Sequence, residues 1–76
     1  MIMDYNQLTI FYRTMQEGMN LEFVGKYNAA MFKYQYAYDI AKSANDTSYK
    51  NAQEAIDRCK EKIKIREERE QAEREY

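Results

Sequence analysis

Cys59 is the strongest nucleophile in the sequence, and the chain contains no histidine to serve as its base. A papain-like thiolate–imidazole pair is therefore excluded. One cysteine and no histidine leave only carboxylates as metal ligands, and no Asp-rich loop resembles a calcium site, so no metal is expected. Gly18 and Gly25 stand alone, so there is no glycine-rich cradle for a phosphate and no cofactor is expected. Eight tyrosines could stack on nucleobases, but the chain offers no basic groove to hold a backbone. Arg58, Lys60, Lys62, Lys64 and Arg66 form a basic run. On a helix these alternate positions spread around the circumference, and Asp57, Glu61, Glu67 and Glu68 interrupt the field. A solvated face is the expected outcome, with acidic segments or phosphates as the only charged groups its rim could meet. No catalytic constellation is present, and the chain is expected not to be an enzyme.

What remains is chemistry of contact. Ala29, Phe32, Tyr36 and Ile40 recur at intervals of three and four and make an apolar stripe. Ala30 and Ala37 lie on another face of the same helix, with Tyr27, Tyr34 and Ala41. A small helical bundle can bury one broad face, including Met31 and Tyr38 against a third helix, but not Phe32 and Tyr36 as well. Single exposed aromatics need no explanation, whereas four apolar residues in register mark a docking or self-association surface. Burying Phe32 and Tyr36 in a partner would contribute several kcal/mol, at roughly 1.5–3 kcal/mol per large side chain. The expected partner-binding residues are thus Ala29, Phe32, Tyr36 and Ile40, with Lys62 of the third helix helping to set register.

The elements that would position these residues follow from periodicity. From Gly25 to Ala41 the chain reads GKYNAAMFKYQYAYDIA, which places Tyr27, Ala30, Tyr34, Ala37 and Ala41 on one helical face at about 100° per residue. Alternating Ala with Tyr lets a neighbouring helix come close while the rings fill the flanking gaps. Phe32, Tyr34, Tyr36, Tyr38 and Ile40 also alternate with period two, as a strand would. Five alanines from 29 to 44, no Val or Thr, and no hairpin turn favour the helix. Ahead of it, Asp4 and Gln7 make a capping-box arrangement. Leu8, Tyr12, Met15, Met19 and Phe23 form a continuous stripe, with Phe11 beside it. One helix is expected from about residue 4 to 24, with Gly18 tolerated because it admits the second helix closely. Gly25 and Lys26 make the turn, and the second helix runs to about Ala44. Asn45 to Ser48 are capping residues that place the next turn. The third helix carries the seam Tyr49, Ala52, Ile56, Cys59 and Ile63, on which Cys59 is expected to be a small buried core residue. After Ile65 only Ala72 and Tyr76 are apolar, so the tail is expected to be a solvated helical extension that frays, or a continuing helix that a partner stabilises.

The expectation is an all-α three-helix bundle, one domain over residues 1–65 with a charged helical extension over 66–76. Seventy-six residues bury about 60% of their unfolded surface, so net stability should be a few kcal/mol. A net charge of −1 argues against a dedicated nucleic-acid binder. No apolar run is long enough to span a membrane. The start MIMDYNQL lacks a basic region and an apolar block, so secretion is not expected. One unpaired cysteine fits a reducing, cytoplasmic setting.

Gly25, Tyr27, Ala30, Tyr34 and Ala37 resemble the G-x-Y-x-x-A-x-x-x-Y-x-x-A core of a tetratricopeptide-repeat hairpin. The same residues look like the hairpin of a microtubule-interacting-and-trafficking (MIT) domain, and AIDRCKEKI, residues 55–63, is similar to that domain's third helix. Length favours the second, since stacked repeats need about three units. Helix one departs from the MIT pattern in being rich in Met and Tyr. What the resemblance implies is a module that docks short amphipathic segments in grooves beside helix three. The function expected is therefore a small non-enzymatic protein–protein interaction module, an adaptor that takes an amphipathic helix or short peptide on helices two and three. A second reading is a homo-oligomeric structural protomer pairing through the helix-three seam as a coiled coil. A third is an inhibitor or accessory protein that masks a larger enzyme.

Overall fold

The structure is a computed structural model that describes residues 3–75. It holds three helices: α1 (Tyr5–Phe23), α2 (Tyr27–Ser43) and α3 (Tyr49–Glu75). They form an all-helical three-helix bundle with α2 between α1 and α3, each of which packs mainly on it. The tyrosine-rich segment is helical along its whole length, so its period-two alternation is incidental.

The ends of the helices follow local rules. Asp4 accepts from the Gln7 N–H at 2.8 Å, and the Gln7 side chain accepts from the Asp4 N–H at 2.9 Å, which completes the capping box. α1 closes with the Lys26 N–H on the Leu21 carbonyl and the Gly25 N–H on the Glu22 carbonyl. That Schellman pattern needs a left-handed residue, which glycine supplies at φ +82°. α2 ends the same way, with Asn45 at φ 55° and the Asp46 N–H on the Ala41 carbonyl. Asp46 then ties the second turn to the chain start. It accepts from the Ser48 N–H at 2.9 Å and the Met3 N–H at 3.3 Å. At the other end Arg66 donates to the Gly25 carbonyl at 2.7 Å, so α1 and α3 run in the same direction.

α2 turns Ala30, Tyr34, Ala37 and Ala41 inward, the face its spacing predicts. α3 buries Ala52, Ala55, Ile56 and Cys59 against it, while Tyr38 meets Tyr49 edge-on and Met31 packs beside Ile56 and Cys59. α1 departs from expectation. Its buried residues are Phe11, Thr14, Gly18 and Glu22, whereas Leu8, Tyr12, Met19 and Phe23 lie exposed and only Met15 of the stripe reaches the core. The more apolar face of α1 is thus not the one that packs. The reason is steric: α2 presents a tyrosine ring, and small side chains must stand opposite it. α3 stays helical to Glu75 with every residue past Ile63 exposed, and Tyr76 lies outside the described residues.

A methyl group built on Gly18 would stand 2.6 Å from Tyr34 Cε1 and 2.8 Å from Cδ1. The ring is fully buried and its hydroxyl is hydrogen-bonded, so it has nowhere to retreat. Alanine ordinarily gains about 1 kcal/mol over glycine inside a helix. Here overpacking, about 1–3 kcal/mol, outweighs that gain. Gly18→Ala should lower unfolding stability by about 1 kcal/mol in urea titration, and the same change in a Tyr34→Leu background should stabilise.

Candidate functional site

The buried face of α1 ends in a carboxylate. Glu22 is almost wholly covered, yet all its hydrogen-bonding capacity is used. Arg58 donates through Nε to Oε2 at 2.7 Å and through Nη2 to Oε1 at 2.8 Å, a bidentate fork. Lys62 Nζ reaches Oε2 at 2.7 Å, and the Tyr34 hydroxyl donates to Oε1 at 2.7 Å. One acid from α1 therefore collects a phenol from α2 and two cations from α3. Arg58 foremost, then Lys62 and Tyr34, hold the carboxyl far below its ordinary range against the opposing effect of burial. Burial and the adjacent anion raise the Tyr34 phenol, and Glu22 raises the Arg58 guanidinium. This is a locked junction in which the carboxylate has no acceptor site left over.

The junction settles where the basic run goes. Arg58 and Lys62 belong to Glu22, and Arg66 lies over the Tyr27 ring while donating to Gly25. Lys60 and Lys64 stay exposed. Cys59 is fully buried, and burial pushes its thiol up, away from the reactive thiolate. Among the described residues no group of three or more Cys, Asp or Glu could hold a metal ion.

Of the residues expected to contact a partner, Phe32 and Tyr36 stand together one turn apart, 76% and 53% exposed. They line a groove with Ile10, Arg13, Thr14 and Glu17 of α1, and Lys33 crosses it to Glu17 at 3.6 Å. Ala29 is exposed on the same helix. Ile40 is partly buried and packs on the core beside Ala37 and Ala41. Lys62 is remote from this groove and bound to Glu22, because a buried carboxylate competes for it far better than solvent does. This groove lies between α1 and α2, and a separate one beside α3 is lined by Tyr27, Lys62, Ile65 and Arg66. The α3 seam is equally committed: Ala52, Ile56 and Cys59 are covered by α2, so that seam is not free to form a coiled-coil edge.

Sequence reasoning missed Glu22. Its signal was phase, since Phe11, Thr14, Gly18 and Glu22 are spaced three, four and four along α1. It also missed that the α1 stripe is a surface, and this stripe becomes the second exposed apolar feature of the molecule.

No family model, curated protein or solved structure matches this chain. The fold contains a helical hairpin, α1–α2, and the comparisons add no family to it. No helix of the described residues is long and apolar enough to cross a membrane.

Proposed function

We propose that this chain is a small non-enzymatic interaction module that docks an amphipathic helix or short peptide, with Phe32 and Tyr36 as its anchors. The observation that carries the reading is the pair of exposed rings on a helix whose other faces are held by α1 and α3. Anchors on so fixed a helix are preorganised, so little ordering entropy opposes binding. An apolar side chain entering between the rings would meet Ile10, while Arg13, Glu17 and Lys33 supply both signs of charge at the rim. A helical guest with apolar residues three and four apart fits that arrangement. The resemblance of the hairpin to MIT and tetratricopeptide modules points the same way, with the guest of Phe32 and Tyr36 seated beside helix one.

The test is selection of displayed amphipathic helical peptides on the immobilised chain, followed by titration of the enriched sequences. Each ring buried should be worth about 1.5–3 kcal/mol, so Phe32→Ala and Tyr36→Ala should each weaken binding at least about tenfold. Circular dichroism should show the helix content unchanged. Enriched peptides that bind the doubly substituted chain as well as the wild type would refute the reading.

A further inference from the structure

α1 carries a second exposed apolar surface that neither its own packing nor the α1–α2 groove uses. Tyr5, Tyr12, Met19 and Phe23 are 82%, 62%, 51% and 91% exposed, and Leu8 lies with them at the margin. At about 100° per residue these five fall within a single narrow stripe along the full helix. Arg13 and Glu17, which border the Phe32 groove, fall on the far side of α1. We infer that this stripe is the docking site for a second copy of the chain, α1 against α1 in antiparallel array.

Three features select that occupant. The first is self-complementarity under a two-fold axis. With the axis near the middle of α1, Tyr5 opposes Phe23 of the other copy, Leu8 opposes Met19, and Tyr12 sits close to the axis. Each ring or aliphatic chain then meets one of matching kind, and aromatic pairs form at both ends. The second is the rim. Thr9, Gln16 and Asn20, which border the stripe on its solvent side, are neutral, and Gln16 and Asn20 satisfy one another at 3.0 Å. On this edge two copies can close without opposing like charges, and on the other edge the nearby cations Arg58 and Lys62 are held by Glu22. Antiparallel helix dipoles add to the preference over the parallel arrangement.

The third is area. With aromatic residues presenting roughly 150–250 Å² each, the exposed parts of the five side chains come to on the order of 600 Å². A standard interface takes about 800 Å² from each partner, and the neutral rim supplies much of the difference. The stripe is the right size for a reversible dimer at the lower end of the specific range.

Sedimentation equilibrium of the full chain from low micromolar to submillimolar concentration tests this. The wild type should pass from one to two monomer masses. Tyr12→Lys combined with Met19→Lys should remain monomeric throughout with its helix content retained, because both positions are exposed. Phe32→Ala should dimerise as the wild type does, which separates this surface from the peptide groove. Orientation is read by mixing Tyr5→Cys and Phe23→Cys chains: an antiparallel dimer gives the mixed disulfide in excess over either homodisulfide. A wild type that is monomeric at the highest concentration, a dimer that survives the lysine pair, or a dimer that Phe32→Ala abolishes would overturn the proposal.

Discussion

Tyr34→Ala should remove nearly all of the chain's stability. The ring fills the space between Gly18 of α1 and the α3 residues Ala55, Ile56 and Cys59, and it is wholly excluded from solvent. Truncating a buried aromatic side chain costs about 3–5 kcal/mol through lost transfer energy and the cavity left behind. A domain of this size rarely has more than about 3–5 kcal/mol in total. The surrounding alanines are too small to collapse into the gap, which places the loss toward the upper end. Tyr34→Phe keeps the ring and deletes only the hydrogen bond to Glu22, so about 1–2 kcal/mol is expected. Tyr36→Ala, two residues away on the exposed face, should change stability by no more than about 0.5 kcal/mol. Urea unfolding followed by circular dichroism, at one low concentration so that association does not contribute, should return the order Tyr34→Ala, Tyr34→Phe, Tyr36→Ala. A small effect of Tyr34→Ala would mean that the ring does not organise the bundle.

That contrast between two tyrosines of one helix was legible in the sequence, because alanines at 30, 37 and 41 mark the inward face of α2 and leave 32 and 36 outside it. The Asp4–Gln7 cap and the Gly25 turn were legible for the same reason: each is a local rule with a fixed spacing. The inward face of α1 was not. Two stripes compete there, and counting apolar side chains selects Leu8, Tyr12, Met19 and Phe23, which lie at the surface. The packed stripe contains a threonine, a glycine and a glutamate, and becomes intelligible only once the Tyr34 ring and the Arg58 and Lys62 cations are placed opposite it. Complementarity across 36 and 40 residues of chain leaves no periodic trace. The helical extension of α3 was legible, by contrast, from its run of charged helix-favouring residues. Past Ile63 nothing is buried, and the helix continues on residue preference and spaced contacts such as Gln71 to Glu75 at 2.9 Å.

The Glu22 junction gives the second large effect, and its sign follows from linkage. The carboxyl's ordinary value is 4.5, and in the folded chain Arg58 first, then Lys62 and Tyr34, hold it far lower. A depressed acid contributes stability that is present above the unfolded value and is lost as pH falls toward the folded one. Wild-type stability should therefore be level above about pH 5 and decline steadily below about pH 4.5. The decline should continue well below that, because the folded carboxyl stays ionised after the unfolded one has been protonated. Asp46 is lowered too, chiefly by the Ser48 backbone N–H, but it is solvent-accessible and should add little to the slope. Glu22→Gln removes the titrating group and turns an amide N–H₂ toward two cations. Breaking a buried pair costs about 3–5 kcal/mol when the remaining charge stays buried. Arg58 and Lys62 are each about half exposed and can regain water, so a loss of about 2 kcal/mol at neutral pH is the discounted expectation. The discriminating measurement is the acid limb. Urea midpoints of Glu22→Gln should fall little between neutral pH and about pH 2.5, where the wild type loses most of its advantage. If the two chains lose stability in parallel on acidification, Glu22 is not the group whose protonation loosens the bundle, and the junction contributes packing alone.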